Sequence, residues 1–112
     1  EYVTFGSVST EAVLSGDTTR LTAAGERALA DLRAEPTAPR LVDLSRRFAR
    51  EADLLTDRVA AAVDAVDDAG GSAAMAMLGD TVFAFGADLS AAGYDPETCA
   101  VHPAGATLRA SE

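Results

Sequence analysis

Lysine, isoleucine, asparagine, glutamine and tryptophan do not occur in this chain. All nine basic residues are arginine, against 18 aspartates and glutamates, for a formal net charge of −9. That balance excludes a nucleic-acid partner, because no basic patch exists to neutralise phosphates. Cysteine occurs once, as Cys99. A lone cysteine excludes an internal disulfide and a cysteine-based metal cluster, and it fits a reducing, cytoplasmic location. No apolar run approaches the roughly 20 residues of a membrane helix, so no membrane partner is expected. No positively charged leader followed by an apolar stretch opens the chain, so no secretory signal is expected. Aromatics make up only 5% of the residues. The core must therefore come from Leu, Val, Ala, Met and the four Phe.

What is present suits one domain spanning residues 1–112. A chain of this size buries roughly two thirds of its unfolded surface, enough for one modest core. The missing Lys, Ile and Asn match GC-rich codon usage. Abundant acid without lysine resembles the proteins of halophilic microbes that hold concentrated KCl. At about 1 M salt the Debye length is about 3 Å, which screens such self-repulsion.

Along the chain, Tyr2 to Phe5 is β-prone and ends at Gly6. Residues 7–15 suit a turn and a short helix that Ser9 or Thr10 can cap. Asp17 can cap a helix to about Arg33, with Leu21, Ala24, Ala28 and Leu32 on one stripe. Pro36 and Pro39 break it. Leu41, Leu44, Phe48, Ala52 and Leu55 form a second helical stripe. Asp57 to Asp68 forms a third helix with Val59, Val63 and Val66 inward, closed by Gly70–Gly71. The period then changes to two. Ala73, Met75 and Met77 alternate, Leu78–Gly79–Asp80 turns, and Val82 to Phe85 continues as the second arm of a β-hairpin. Asp88 to Ala92 suits a short helix ended by Gly93, and Cys99–His102 and Thr107–Arg109 are weak strand candidates. The order gives a ferredoxin-like βαββαβ antiparallel sheet with extra helices in the first crossover and helices on one face. The opening directly on a strand-like segment reads as the rear part of a longer protein.

Few residues offer chemistry. Gly70–Gly71–Ser72 joins a helix to a central strand. Glycines there permit close backbone approach, and free amides can bind an anion; from the residues alone, a helix cap before a buried strand is the simpler explanation. No lysine and no helix follow, so this is not a P-loop. Met75 and Met77 suit the core. His102, the one histidine, has no Ser or Cys at a diagnostic spacing, and Cys99 suits a small buried apolar residue. Arg46, Arg47 and Arg50 lie opposite the apolar stripe, with Asp43 and Arg47 spaced to pair. Arg20 sits in a first helical turn, where a cation gains nothing from the helix dipole. With Ser9, Thr10 and Thr19 it can reach an acidic ligand. The aspartates show no metal-ligand spacing.

The stretch from Gly71 to Ala84, GSAAMAMLGDTVFA, resembles the third conserved block of archaeal pantoate kinases, in the GHMP kinase superfamily. VSTEAVLS (Val8 to Ser15) and LSRRFA (Leu44 to Ala49) are similar to the same family, and the resemblance runs from Phe5 to Leu108. The usual GHMP spelling of this block is richer in glycine, which favours the pantoate branch over mevalonate or homoserine kinases. The resemblance implies transfer of the γ-phosphoryl of ATP to the 4-hydroxyl of pantoate, with Mg²⁺, giving 4-phosphopantoate for coenzyme A biosynthesis. It implies an N-terminal domain with a P-x-x-x-G-L-[GS]-S-S phosphate loop and a ferredoxin-like C-terminal domain. This chain matches only the second. The phosphate loop, the Mg²⁺-binding acid and the catalytic acid are not among its residues, so no catalytic residue or metal ligand is assigned in it. Its partner would be the N-terminal kinase domain, and the chain alone would be inactive. Gly70, Gly71 and Ser72 would line the cleft near the transferred phosphate, with Ser9, Thr10 and Arg20 on the acceptor side. Two alternatives stay open. One is a stand-alone βαββαβ module that binds a small ligand or forms a homodimer through its sheet; the other is a GHMP kinase with a different acceptor.

Overall fold

Two threonines open the inner helices. Thr37 Oγ1 accepts a hydrogen bond from the Arg40 amide and Thr56 Oγ1 from the Val59 amide, each at 3.3 Å. Each thereby satisfies a donor that the first turn leaves without a partner. The computed structural model describes residues 1–6, 10–76, 80–106 and 108. Among them the order is β1 (Tyr2–Thr4), α1 (Thr10–Leu14), α2 (Thr19–Ala34), α3 (Ala38–Glu51), α4 (Asp57–Asp68), β2 (Ala74–Ala76), β3 (Thr81–Phe83) and α5 (Asp88–Ala91). The fold is mixed α and β, with one small antiparallel sheet.

The sheet order is β1-β3-β2. Val3 faces Val82 and Val82 faces Met75, so these three share one face. Val82 and Met75 are buried there with Val59, Val63 and Val66 of α4 and Leu89 of α5. This alternation is the period-two pattern of the sequence made physical. The other face carries Tyr2 and Phe83, with Thr4 and Thr81 joined through their hydroxyls at 2.9 Å. On the free edge of β1, Tyr2 and Glu97 exchange two backbone hydrogen bonds at 2.9 Å, an isolated antiparallel bridge.

The helix from Asp57 to Asp68 has the expected bounds and inward valines. The α3 stripe differs. Val42, Leu44 and Ala49 are buried, whereas Leu41 is 39% exposed. The reason is that α3 packs against α2 on one side and β2 on the other, so two faces are covered. Helix α2 has α3 as its main neighbour, and only Ala24 of its stripe is fully buried. No strand forms over Cys99–His102, and Cys99 is exposed, not buried. Met77 of the first hairpin arm, Leu78 and Gly79 of the expected turn, and Thr107 and Arg109 of the last strand candidate lie outside the described residues.

Candidate functional site

The Gly70–Gly71–Ser72 turn is built by the end of α4. Gly70 adopts φ +90°. Its amide donates to Asp67 O at 3.0 Å and the Gly71 amide donates to Val66 O at 2.9 Å. This pair is a Schellman closure, in which a left-handed glycine lets two amides turn back onto the last carbonyls. The Ser72 amide donates to Asp88 Oδ2 at 3.2 Å. All three amides therefore have partners within the chain, and none is free to bind an anion. A Cβ at Gly71 would lie 2.6 Å from Asp88 Cγ. Glycine is needed here because a carboxylate of the same chain, at the start of α5, fills the space beside it.

The turn opens on a cleft of about 390 Å³, walled also by Pro39, Val42, Phe85 and the acids Asp43 and Asp88. Among the described residues no basic side chain lines it. Asp43 is engaged by Arg46, 3.3 Å away, and Arg46 also holds Asp67 at 2.6 Å. The expected Asp43–Arg47 pair is thus replaced. Arg47 turns to Asp31 of α2 at 2.6 Å and Glu51 at 3.8 Å. The Arg47 hydrogen bond holds the Asp31 carboxyl below its ordinary range.

Arg20 lies elsewhere. It lines a separate cavity of about 300 Å³ with Val13 of α1, Asp17 and Leu21 around the start of α2, and Asp53 and Leu54 after α3. Asp17 accepts a hydrogen bond from the Thr19 amide at 2.9 Å, which lowers its pKa. It serves the helix start from one residue ahead of the Thr18 cap. Arg20 is exposed and, like Arg33, has no ion pair or hydrogen bond among the described residues, whereas Arg27, Arg40, Arg46, Arg47, Arg50 and Arg58 all face acids. The structure does not bring Arg20 to the glycine turn: among the described residues the two cavities share no lining residue. Ser9 lies outside the described residues, and Thr10 is placed only as the first residue of α1.

No family model, curated protein or solved structure matches the chain.

One polar centre was not anticipated. Asp80, read from sequence as a turn residue, is 3% exposed. It accepts from Thr56 Oγ1 and from Arg58, both at 2.6 Å, while its own carbonyl accepts from the Phe5 amide at 2.9 Å. The Arg58 guanidinium lies 5.6 Å from the Phe5 ring centroid, a cation–π distance. A Cβ at Gly6 would sit 3.1 Å from both Arg58 and Asp80. This network ties the start of α4 to the end of β1 and the entry to β3. The sequence signal was an aspartate after glycine in a hairpin turn, and nothing local marks it as buried. His102 is exposed, and its carbonyl accepts from the Gly105 amide in a turn.

Proposed function

We propose that this chain is the C-terminal part of a small-molecule kinase of the GHMP superfamily, acting with an N-terminal domain on a small hydroxylated carboxylate. Pantoate is the acceptor to which the resemblance points. The observation that carries the reading is the Arg20 cavity. The Arg20 guanidinium, unpaired among the described residues, lines this cavity together with Val13, Leu21 and Leu54 and with Asp17 and Asp53. That set suits a compact acid with an aliphatic body and hydroxyls: the guanidinium takes the carboxylate in a charge-assisted hydrogen bond, and the aspartates accept from hydroxyls. The antiparallel order β1-β3-β2 supports the same reading, because the first three strands of a ferredoxin-like βαββαβ sheet have this order.

The described residues do not fit ATP or Mg²⁺ by themselves. The amides of the glycine turn are taken, its cleft is lined by two acids, and no group of three possible metal ligands occurs among the described residues. Nucleotide and metal would be held by the companion domain. In this reading the glycine turn shapes a wall of the cleft and does not grip phosphate.

The test is acceptor-dependent ADP release by the full-length gene product in concentrated KCl. Pantoate is expected to give the highest rate among small hydroxy acids. Arg20→Ala is expected to raise the acceptor KM about tenfold, the scale of one charge-assisted hydrogen bond, with little change in KM for ATP. Absence of ADP release with every hydroxy acid, together with carboxylate binding that depends on Arg20, would establish the ligand-binding module in its place.

A further inference from the structure

Arg20 and Asp53 share an oddity. Arg20 is the second residue of α2, where the positive end of the helix dipole repels a cation. Asp53 directly follows the capping residue of α3, where the negative end repels a carboxylate. Asp53 also adopts φ +57°. Its amide donates to Arg50 O at 3.2 Å and the Leu54 amide donates to Ala49 O at 2.9 Å. This closure of α3 repeats the geometry seen at Gly70, with aspartate in the left-handed position that glycine fills most easily. Neither side chain has a hydrogen bond or ion pair among the described residues to offset its placement. Both line the same cavity.

We infer that Asp53 is a specificity-determining residue of the Arg20 cavity: it reads a hydrogen-bond donor on a small carboxylate that Arg20 holds. This rests on the assignment of Arg20 to the acceptor side. A ligand with a carboxylate at one end and a hydroxyl or ammonium at the other would meet both charges at once, and each would gain the counter-group its helix end withholds. Asp17 contributes less, because its carboxylate is already committed to the Thr19 amide. The cavity, of about 300 Å³, suits a compact ligand with Val13, Leu21 and Leu54 against its carbon chain.

The test measures binding to the full-length gene product without nucleotide. Calorimetric titration compares butanoate with its 2-hydroxy, 4-hydroxy, 2-amino and 4-amino derivatives in concentrated KCl. At least one derivative is expected to bind about tenfold more tightly than butanoate, the scale of a hydrogen bond to a charged group. The hydroxy and amino arms decide which donor is read. Asp53→Gly is expected to abolish that preference while butanoate binding stays unchanged and the melting temperature holds or rises, since glycine fits φ +57° without strain. An Asp53 that only closes α3 would leave the preference intact in Asp53→Gly, which would overturn the inference. So would failure of every probe to bind. In the ADP-release assay, a kinase that works on hydroxy acids with its choice among them unchanged in Asp53→Gly would sink this inference alone. A preference that depends on Asp53, in a protein without kinase activity, would sink only the kinase reading.

Discussion

Gly71 and Asp88 compete for one volume. A methyl at Gly71 would approach Asp88 Cγ, Oδ2 and Cβ to 2.6, 2.8 and 2.9 Å. Rotation of the carboxylate cannot relieve the contact with Cβ, so part of the α5 start must move. Gly71→Ala is therefore expected to destabilise by about 1–3 kcal/mol, as overpacking does. Asp88→Ala removes the two closest atoms, so it is expected to recover part of that loss in the double variant although it forfeits the Ser72 hydrogen bond. Urea unfolding of the four proteins measures the coupling; strictly additive losses would show that the clash is absorbed elsewhere. A substitution at Gly71 thus tests packing before it tests any role in turnover. The site residues were legible in sequence to different degrees. That Gly70–Gly71 would close a helix follows from glycine chemistry over a few residues. That an aspartate 16 positions later would occupy the turn's last amide does not, because only tertiary packing brings it there. Burial of Asp80 was hidden for the same reason: its partners Thr56 and Arg58 lie on another element.

Helix α2 rests on α3 through a seam that includes Gly25 and Phe48. A Cβ at Gly25 would lie 3.5 Å from Phe48 Cε1, an ordinary van der Waals contact. Gly25→Ala is thus expected to stabilise the chain by about 0.8–1.0 kcal/mol, the helix-interior difference between the two residues. A lower urea midpoint would mean that the seam has no room for the methyl. The same pair of helices is joined by Asp31 and Arg47 at 2.6 Å. Asp31 has its pKa lowered, chiefly by that hydrogen bond, so its contribution is complete above the ordinary 3.8 and is lost as the pH falls through the lowered value. The stability gap between the parent and Asp31→Asn is expected to be open at neutral pH and to close in strong acid. A gap independent of pH would remove the ion pair as its cause. At this scale the sequence was most informative where structure is local. Valine spacing and the glycine stop place α4 from Asp57 to Asp68. It was least informative where one helix has two neighbours. Val42 escaped the α3 stripe because the sequence shows one period and not which partners will cover it. Arg46 and Arg47 both stand within reach of acids, and only the position of α2 gives Asp31 to Arg47.

For the molecule as a whole, charge is the dominant bulk property. The net −9 leaves many acids without a cation. Exposed ion pairs of the kind seen here are worth about 0–1 kcal/mol each, so they offset the general repulsion only in part. Raising KCl from about 0.1 M to about 1 M shortens the Debye length from about 10 Å to about 3 Å. The melting temperature is expected to rise over that range, because screening removes more repulsion between like charges than attraction between pairs. A falling temperature would mean that the arginine pairs outweigh the surplus of acid. The strand order has a kinetic consequence. β1 is made first, yet its ladder partner is β3, and the hydroxyls of Thr4 and Thr81 that meet across them are 77 residues apart in sequence. Closing so long a loop costs entropy before any pairing returns it. During synthesis the first strand must therefore wait, unpaired, while α1 to α4 and the β2–β3 hairpin emerge behind it. Its pairing adds contacts of long sequence separation, and contacts of that kind slow folding.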